Sequence, residues 1–161
     1  MGQSFDSANC AGHSLQYNIR PMEKKDLNAV VAAERLCYAH PWSSELFRQE
    51  LDNPLSAIDL LFLEEQLAGY LCSWQICGEL HIHNVATLPQ FRRRGVAVRL
   101  IRHVMARCSD GALEKVFLEV RVGNSAAISL YRCFGFADVA VRKNYYPDGE
   151  DALLMELNID R

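Results

Sequence analysis

The hydrophobic pattern of this chain changes its period once, and that change restricts the fold more than any other feature. Three strand-like runs cover residues 57–63, 67–76 and 80–87, with short polar turns between them. From Gly95 onward the apolar residues recur with helical spacing, at Ala97, Leu100, Ile101, Val104, Met105 and Cys108. The sequence therefore predicts an antiparallel meander that leads into a long amphipathic helix.

The remaining elements are predicted from N-cap residues, apolar runs and turns. They are a strand at Tyr17–Ile19, a helix over 26–39, a short helix capped by Ser43 or Ser44, a buried strand over 116–120, a helix from Asn124 or Ser125 to Gly135, and strands over 136–142 and 152–157. We expect an α+β fold: a mixed, mostly antiparallel twisted sheet of about seven strands with helices on both faces.

The length of 161 residues fits one domain. We expect a flexible tail over residues 1–14 and a single domain over 15–161. The tail has neither a basic segment nor an apolar run, so it does not resemble a secretory signal. The longest apolar run, Leu67–Trp74, is too short to cross a bilayer. These features predict a cytoplasmic protein without a membrane partner, and a monomer is the default.

The charge of the chain is distributed unevenly. Seventeen basic and twenty acidic residues give a net charge of −3, so no chain-wide basic field exists to hold nucleic acid. Residues 80–109, however, contain six arginines and no acidic residue. Arg92, Arg93 and Arg94 directly precede Gly95, at a predicted strand-to-helix junction. Free backbone N–H groups and the helix dipole favour an anion there, and the predicted ligand is a pyrophosphate.

Two common phosphate motifs do not describe this junction. Arg92-x-x-Gly95-x-Ala97 is neither a Walker A loop nor the Rossmann G-x-G-x-x-G pattern, so nucleotide hydrolysis and hydride transfer lose support. Two alternatives stay open at this point. The arginines could form a solvated loop, or they could bind RNA.

A carboxylate and a phenol form the second informative pair. Glu119 lies within the apolar strand pattern, where a carboxylate is costly unless it is paired or used. Tyr131 lies in the helix that follows. Acyl transfer from a thioester to an amine needs a base for the amine proton and a donor for the departing thiolate, and these two side chains could supply both. The alternatives are an ion pair between Glu119 and Arg121, and a core role for Tyr131.

No metal site is expected. The six cysteines are scattered without a C-x-x-C pair. His81 and His83 lie on one face of a predicted strand, which could hold a metal, but no third ligand is evident. We expect both to be ordinary strand histidines. The alternative for His83 is a position in the wall of the substrate cleft.

The junction in its strand–helix context resembles the acetyl-CoA loop of the GCN5-related N-acetyltransferase (GNAT) family, whose pattern is Gln/Arg-x-x-Gly-x-Gly/Ala. The resemblance covers nearly the whole chain after the tail. It implies acetyl-CoA as cosubstrate, with the pyrophosphate bound by Arg92, Arg93, Arg94, Gly95, Val96 and Ala97, and the pantetheine bound by the backbone of Val85, Ala86 and Thr87. Thr87 stands where the family more often has Val, and Ala97 where Gly is common.

Further stretches resemble the branch of this family that acetylates the N-terminal alanine of ribosomal proteins. They are Pro41–Ser43, Leu118–Arg121, Asn124–Ile128, Leu130–Tyr131, Arg142–Pro147 and Asp148–Ala152. The resemblance implies Glu119 as proton acceptor, Tyr131 as proton donor and Asn124 as a cofactor contact. Tyr145 and Tyr146 would frame the peptide entrance.

The implied acceptor is the N-terminal alanine of small-subunit ribosomal protein eighteen, whose N-terminal region is basic. The acidic residues Asp148, Glu150 and Asp151 could attract such a peptide, or could simply be solvated. Acetylation of lysine side chains or small amines, and a CoA-binding module within a complex, remain alternatives.

Overall fold

A seven-stranded sheet forms the centre of the molecule, which a computed structural model describes over residues 16–108 and 113–159. The elements in chain order are β1 (Tyr17–Pro21), α1 (Leu27–Cys37), α2 (Ser44–Asp52), β2 (Ser56–Leu63), β3 (Gln66–Ile76), β4 (Glu79–Thr87), α3 (Val96–Cys108), β5 (Lys115–Arg121), α4 (Ser125–Cys133), β6 (Ala137–Arg142) and β7 (Ala152–Asn158). The predicted α+β architecture is confirmed. The tail predicted for residues 1–14 lies outside the described residues.

The strands are arranged in the order β1-β2-β3-β4-β5-β7-β6. All neighbours are antiparallel except β4 and β5, which run parallel and are joined by the crossover helix α3. The predicted meander corresponds to β2, β3 and β4. Its two-residue turns have positive φ at every position, namely Glu64, Glu65, Cys77 and Gly78, as the tight primed hairpin turns require.

Two apolar clusters lie on opposite faces of the sheet. Successive residues in one strand belong to different clusters, because side chains alternate across a strand. Leu60 and Tyr70 pack in one cluster with Val30 of α1 and Phe47 of α2. The other cluster holds the neighbouring strand residues and the buried residues of α3 and α4, including Leu61, Leu71, Leu100 and Ile128. Helices therefore cover both faces, as predicted.

Two of the predicted N-caps are confirmed, which fixes where α2 and α4 begin. The Ser43 hydroxyl accepts a hydrogen bond from the Leu46 N–H at 3.1 Å. The Asn124 side-chain oxygen accepts one from the Ala127 N–H at 3.2 Å. None of the helices in the described part of the chain is both long and apolar enough to cross a membrane.

Candidate active site

A gap opens in the sheet where β4 and β5 separate. Their parallel pairing ends at Ile82 opposite Leu118, although β4 continues to Thr87 and β5 to Arg121. A bulge at His83 shifts the register between β3 and β4 immediately before this point. Because a bulge bends its strand, it directs the end of β4 away from β5. The gap therefore leaves one edge of each strand unpaired in the middle of the sheet.

The backbone of Val85 and Thr87 faces this gap. The Leu88 N–H donates to the Ala68 carbonyl at 2.9 Å, and hydrogen-bonded positions alternate along an antiparallel strand. Ala86 therefore turns its backbone groups to β3, whereas those of Val85 and Thr87 point away from it. The C-terminal end of α1 reaches both carbonyls: the Tyr38 hydroxyl donates to the Val85 carbonyl at 2.5 Å, and the Cys37 thiol donates to the Thr87 carbonyl at 3.4 Å.

The arginine-rich junction lies just beyond β4 and leads into α3. Gly95 has a φ of +75°, and an added Cβ there would lie 2.6 Å from the Arg99 guanidinium. The first hydrogen bond of the helix runs from the Arg99 N–H to the Gly95 carbonyl, so the N–H groups of residues 96–98 precede it and have no acceptor within the helix. The side chains of Arg92, Arg93 and Arg94 are exposed around this turn. The junction thus provides backbone donors and positive charge together.

The other three arginines of the basic stretch do not all serve this junction. Arg99 donates to the Arg94 carbonyl at 2.8 Å and lies over the Tyr17 ring. Arg107, at the far end of α3, pairs with the buried carboxylate of Asp59 on β2. One of the six positive charges is therefore part of an internal ion pair that connects helix and sheet.

Glu119 lies on β5 beside the gap, on the same face as Phe117, because residues two apart share a strand face. Its side chain is 28% exposed, and its Oε1 accepts a hydrogen bond from Arg142 Nη1 of β6 at 3.1 Å. The alternative partner Arg121 is engaged elsewhere: it contacts Glu150 at 2.6 Å and Asp148 at 2.8 Å. An ion pair between Glu119 and Arg121 is therefore wrong for this structure.

Tyr131 projects from α4 into the buried cluster on the opposite face of the sheet. It is 7% exposed and its ring packs against Phe136, with centroids 5.8 Å apart. Burial, with a smaller effect of Tyr146, raises the pKa of Tyr131 to about 12. The phenol is consequently protonated across the neutral range.

Tyr146 is near enough to both predicted catalytic side chains for their charges to interact. The Tyr146 phenol contributes to the raised pKa of Tyr131, and the Glu119 carboxylate contributes to the raised pKa of Tyr146. Burial raises the pKa of Tyr146 to about 12, although the Arg121 guanidinium 3.9 Å above its ring acts in the opposite direction. Tyr145 is 45% exposed, with its ring 5.1 Å from that of Tyr146. Tyr146 is therefore in electrostatic contact with both Glu119 and Tyr131, although these two side chains lie on different faces of the sheet.

Each carboxylate of the acidic turn after Tyr146 has a basic neighbour. Asp148 and Glu150 contact Arg121, and Asp148 also lies 3.5 Å from His40 in the loop between α1 and α2. Asp151 contacts Lys143 at 2.6 Å. Hydrogen bonds lower the pKa of all three carboxyls: the Glu150 N–H and Arg121 act on Asp148, Arg121 on Glu150 and Lys143 on Asp151. The turn therefore shapes the rim of the site, and its charges already have partners before any peptide binds.

A buried carboxylate behind the gap was not predicted as a functional residue. Glu34 of α1 is 1% exposed and accepts hydrogen bonds from the Trp42 N–H at 2.8 Å and from the Tyr70 hydroxyl, with the Asn84 amide at 3.4 Å. Burial raises the pKa of Glu34. The signal in the sequence is a glutamate at an apolar helix position. This network fixes the end of α1, and therefore Tyr38, against β4.

The two strand histidines lie on the Glu119 face as part of a row of rings. His81 stacks on Phe117 at 5.1 Å and contacts Glu79 at 2.9 Å, while His83 packs 4.5 Å from the Trp74 ring. Burial lowers the pKa of His83. Among residues 16–108 and 113–159, no three His, Cys, Asp or Glu side chains are grouped to hold a metal.

Comparison with known proteins identifies the family. Residues 27–136, about two thirds of the chain, match the model of the acetyltransferase (GNAT) family. The chain belongs to the GNAT family. The predicted resemblance to this family is thereby confirmed, and both the gap between β4 and β5 and the junction before α3 lie within the matched residues.

Individual GNAT relatives are similar over nearly their full length. The Escherichia coli K12 ribosomal protein bS18-alanine N-acetyltransferase is 32% identical, over 88% of this chain and 97% of that protein. The N-alpha-acetyltransferase of Sulfurisphaera tokodaii is 31% identical, over 87% and 92%. The crystal structure of the E. coli ribosomal-protein-S18-alanine N-acetyltransferase superposes with a TM-score of 0.84, at 31% identity, over 91% of this chain and 96% of that one.

Proposed function

We propose that this GNAT domain transfers the acetyl group of acetyl-CoA to the N-terminal amino group of a protein, with the N-terminal alanine of ribosomal protein bS18 as the acceptor. The observation that carries the proposal is the placement of Glu119 on β5 beside the gap in the sheet, with the N-terminus of α3 beyond the end of β4. The activity named for the E. coli relative, in both its sequence and its crystal structure, supports this alanine as the acceptor.

The donor binds along the unpaired edge of β4. The gap-facing backbone of Val85 and Thr87 suits the amides of pantetheine, with Ala86 between them on the buried side. The pyrophosphate binds at the junction before α3, whose N–H groups carry the positive end of the helix dipole. The residues proposed for it are Arg92, Arg93, Arg94, Gly95, Val96 and Ala97. Asn124, whose Oδ1 caps α4, retains its amide N–H₂ for a contact with the cofactor.

The acceptor approaches from the Glu119 face of the sheet. Its amine gives up a proton to the Glu119 carboxylate, directly or through water, and the neutral nitrogen attacks the thioester carbon. An α-amino group has a pKa of about 8, so a carboxylate can serve as the base. Tyr145 and Tyr146 lie at the rim of this approach, where the first residues of a peptide would pass.

The departing sulfur is stabilised from the other side of the gap. The carbon–sulfur bond breaks as the amide forms, and the thiolate accepts a hydrogen bond and then a proton. Tyr131, with a pKa of about 12, is fully protonated and can act as that donor. Because thiols have a pKa of about 8.5, burial makes complete proton transfer less favourable than it would be from an ordinary tyrosine. Tyr131 therefore acts first by hydrogen bonding.

Two peptides distinguish the acceptor classes. One has a free N-terminal alanine and no lysine; the other has the same length and charge, a blocked N-terminus and one internal lysine. Each is incubated with the protein and acetyl-CoA and analysed by mass spectrometry. We expect acetyl on the alanine nitrogen only. Acetyl only on lysine would contradict the acceptor assignment and leave the donor site intact, and a free small amine assayed in parallel tests the remaining alternative.

A further inference from the structure

Among the described residues, Arg142 forms one ion pair, and its partner is the proposed base. Its Nη1 donates to Glu119 Oε1 at 3.1 Å, and its guanidinium lies 5.8 Å from the Tyr145 ring centroid. The side chain is 55% exposed. An exposed ion pair of this kind contributes about 0–1 kcal/mol to folding stability. Stability therefore gives little reason for this arrangement.

Arg121 is the nearer arginine along the chain, yet its position does not allow it to replace Arg142. It is held by two carboxylates and by the Tyr146 ring, 3.9 Å from its guanidinium carbon. Among the described residues, Arg142 is the one cation that contacts Glu119. The strand pairing accounts for its reach, because Arg142 lies opposite Ala152 of β7, which pairs with Arg121 of β5 next to Glu119.

The contact occupies only half of the carboxylate. Within residues 16–108 and 113–159, Oε1 of Glu119 accepts the Arg142 hydrogen bond and Oε2 has no hydrogen-bond partner, so one oxygen is fixed and the other is free to accept a proton. A general base needs an unoccupied oxygen held at a constant place, since small displacements of a catalytic group cost large factors in rate.

We propose that Arg142 is a positioning residue for Glu119: its guanidinium fixes Oε1 and leaves Oε2 to accept the proton of the acceptor amine. This inference rests on the proposed function, in which Glu119 is the base. The same guanidinium also borders Tyr145, so the base is oriented from the rim along which the peptide enters.

Chemical rescue separates this role from a structural one. Acetylation of the alanine peptide is measured for the wild type, Arg142→Ala and Arg142→Lys, with and without millimolar ethylguanidinium. Arg132→Ala is the matched control, because Arg132 is similarly exposed and also pairs with one carboxylate, Asp138, away from the gap. CoA binding and thermal unfolding confirm that each variant is folded.

We expect Arg142→Ala to lower kcat by roughly 10- to 100-fold with a smaller change in KM, as for a misplaced catalytic group. Ethylguanidinium should restore part of that loss, whereas sodium chloride at equal strength should not. Arg142→Lys should keep part of the kcat that Arg142→Ala loses, because the contact with Glu119 is a single N–H hydrogen bond and not a bidentate one. Arg132→Ala should match the wild type.

Three results would overturn the inference. An unchanged kcat in Arg142→Ala would show that Glu119 needs no support, and a higher kcat or lower acceptor KM would show that Arg142 obstructs the base. A loss that ethylguanidinium and lysine both fail to restore would indicate a structural role. A wild type that acetylates no alanine peptide would instead contradict the proposed function itself, and with it the need for a positioned base.

Discussion

The hydroxyl of Tyr38 donates a hydrogen bond to the carbonyl oxygen of Val85 at 2.5 Å. This carbonyl belongs to the unpaired edge of β4, which the proposed function assigns to the pantetheine of the donor. Glu34 and its hydrogen-bond partners hold the C-terminal end of α1 in place, and this fixes the Tyr38 hydroxyl beside the gap between β4 and β5. We therefore expect the donor and Tyr38 to compete for this acceptor atom.

Removal of that hydroxyl should favour the donor. In Tyr38→Phe the Val85 carbonyl has no partner until acetyl-CoA arrives, and a net hydrogen bond of roughly 0.5–1.5 kcal/mol corresponds to about 2- to 10-fold tighter binding. Isothermal titration with CoA measures this directly. Weaker binding in Tyr38→Phe would mean that the hydroxyl supports the groove and does not compete with the donor.

Gly95 should be required for the donor beyond its effect on folding. Alanine at a φ of +75° costs about 1 kcal/mol, and its Cβ would displace Arg99 at the junction. We expect CoA affinity in Gly95→Ala to fall by about tenfold, or 1.4 kcal/mol. Gly135→Ala is the control, because Gly135 also has a positive φ, +94°, but lies after α4. Equal loss of CoA affinity in both variants would argue against a phosphate site at Gly95.

Tyr131 should remain an acid throughout the accessible pH range. Its pKa is raised to about 12, and an acid is lost only as the pH rises through its pKa. The rate of the wild type should therefore show no fall from Tyr131 below about pH 11, and Tyr131→Phe should lower kcat roughly 100-fold at every pH. A descending limb between pH 8 and 10 that disappears in Tyr131→Phe would contradict this assignment.

Glu34 should make stability depend on pH. Burial raises the pKa of this carboxyl in the folded state, so its contribution is fully present below the unfolded value of about 4.5 and is lost as the pH rises through the folded value. Glu34→Gln should remove this decline. It should also cost about 1–3 kcal/mol, because an amide satisfies Trp42 and Tyr70 less well. Urea unfolding of the wild type and Glu34→Gln at several pH values from 4 to 8 tests both effects. If the free energy of unfolding depends on pH in the same way for both proteins, the predicted pH effect of Glu34 is contradicted.

The regular elements could be predicted from the sequence because they are long and strongly periodic. The apolar residues of α3 recur with helical spacing through three turns. In β5, buried residues alternate with partly exposed ones. The β2–β3 turn was harder, since Glu64 and Glu65 adopt positive φ without the Gly or Asn that normally marks such a turn. The insertion of β7 between β5 and β6 depends on pairing between distant segments, which periodicity does not report.

The candidate site could be predicted only in part, because some of its contacts also join segments that are distant in the sequence. The strand and helix patterns place Glu119 and Tyr131 on neighbouring elements, and they place Gly95 at a helix start. They do not say which distant cation meets Glu119, and Arg142 on β6 does so in place of Arg121 two residues away. Nor does spacing show that Tyr38 reaches β4, because that contact depends on the direction in which α1 ends.

The most direct test of the account is single-turnover acetylation of the N-terminal alanine peptide by the wild type and by Glu119→Gln, with CoA affinity measured on the same samples. The glutamine keeps the size of the side chain and its contact with Arg142 but cannot accept the amine proton. If Glu119 is the base, the rate in Glu119→Gln should be lower by roughly 100- to 10,000-fold with unchanged CoA affinity. An unchanged rate in Glu119→Gln would contradict the role of Glu119 as the base.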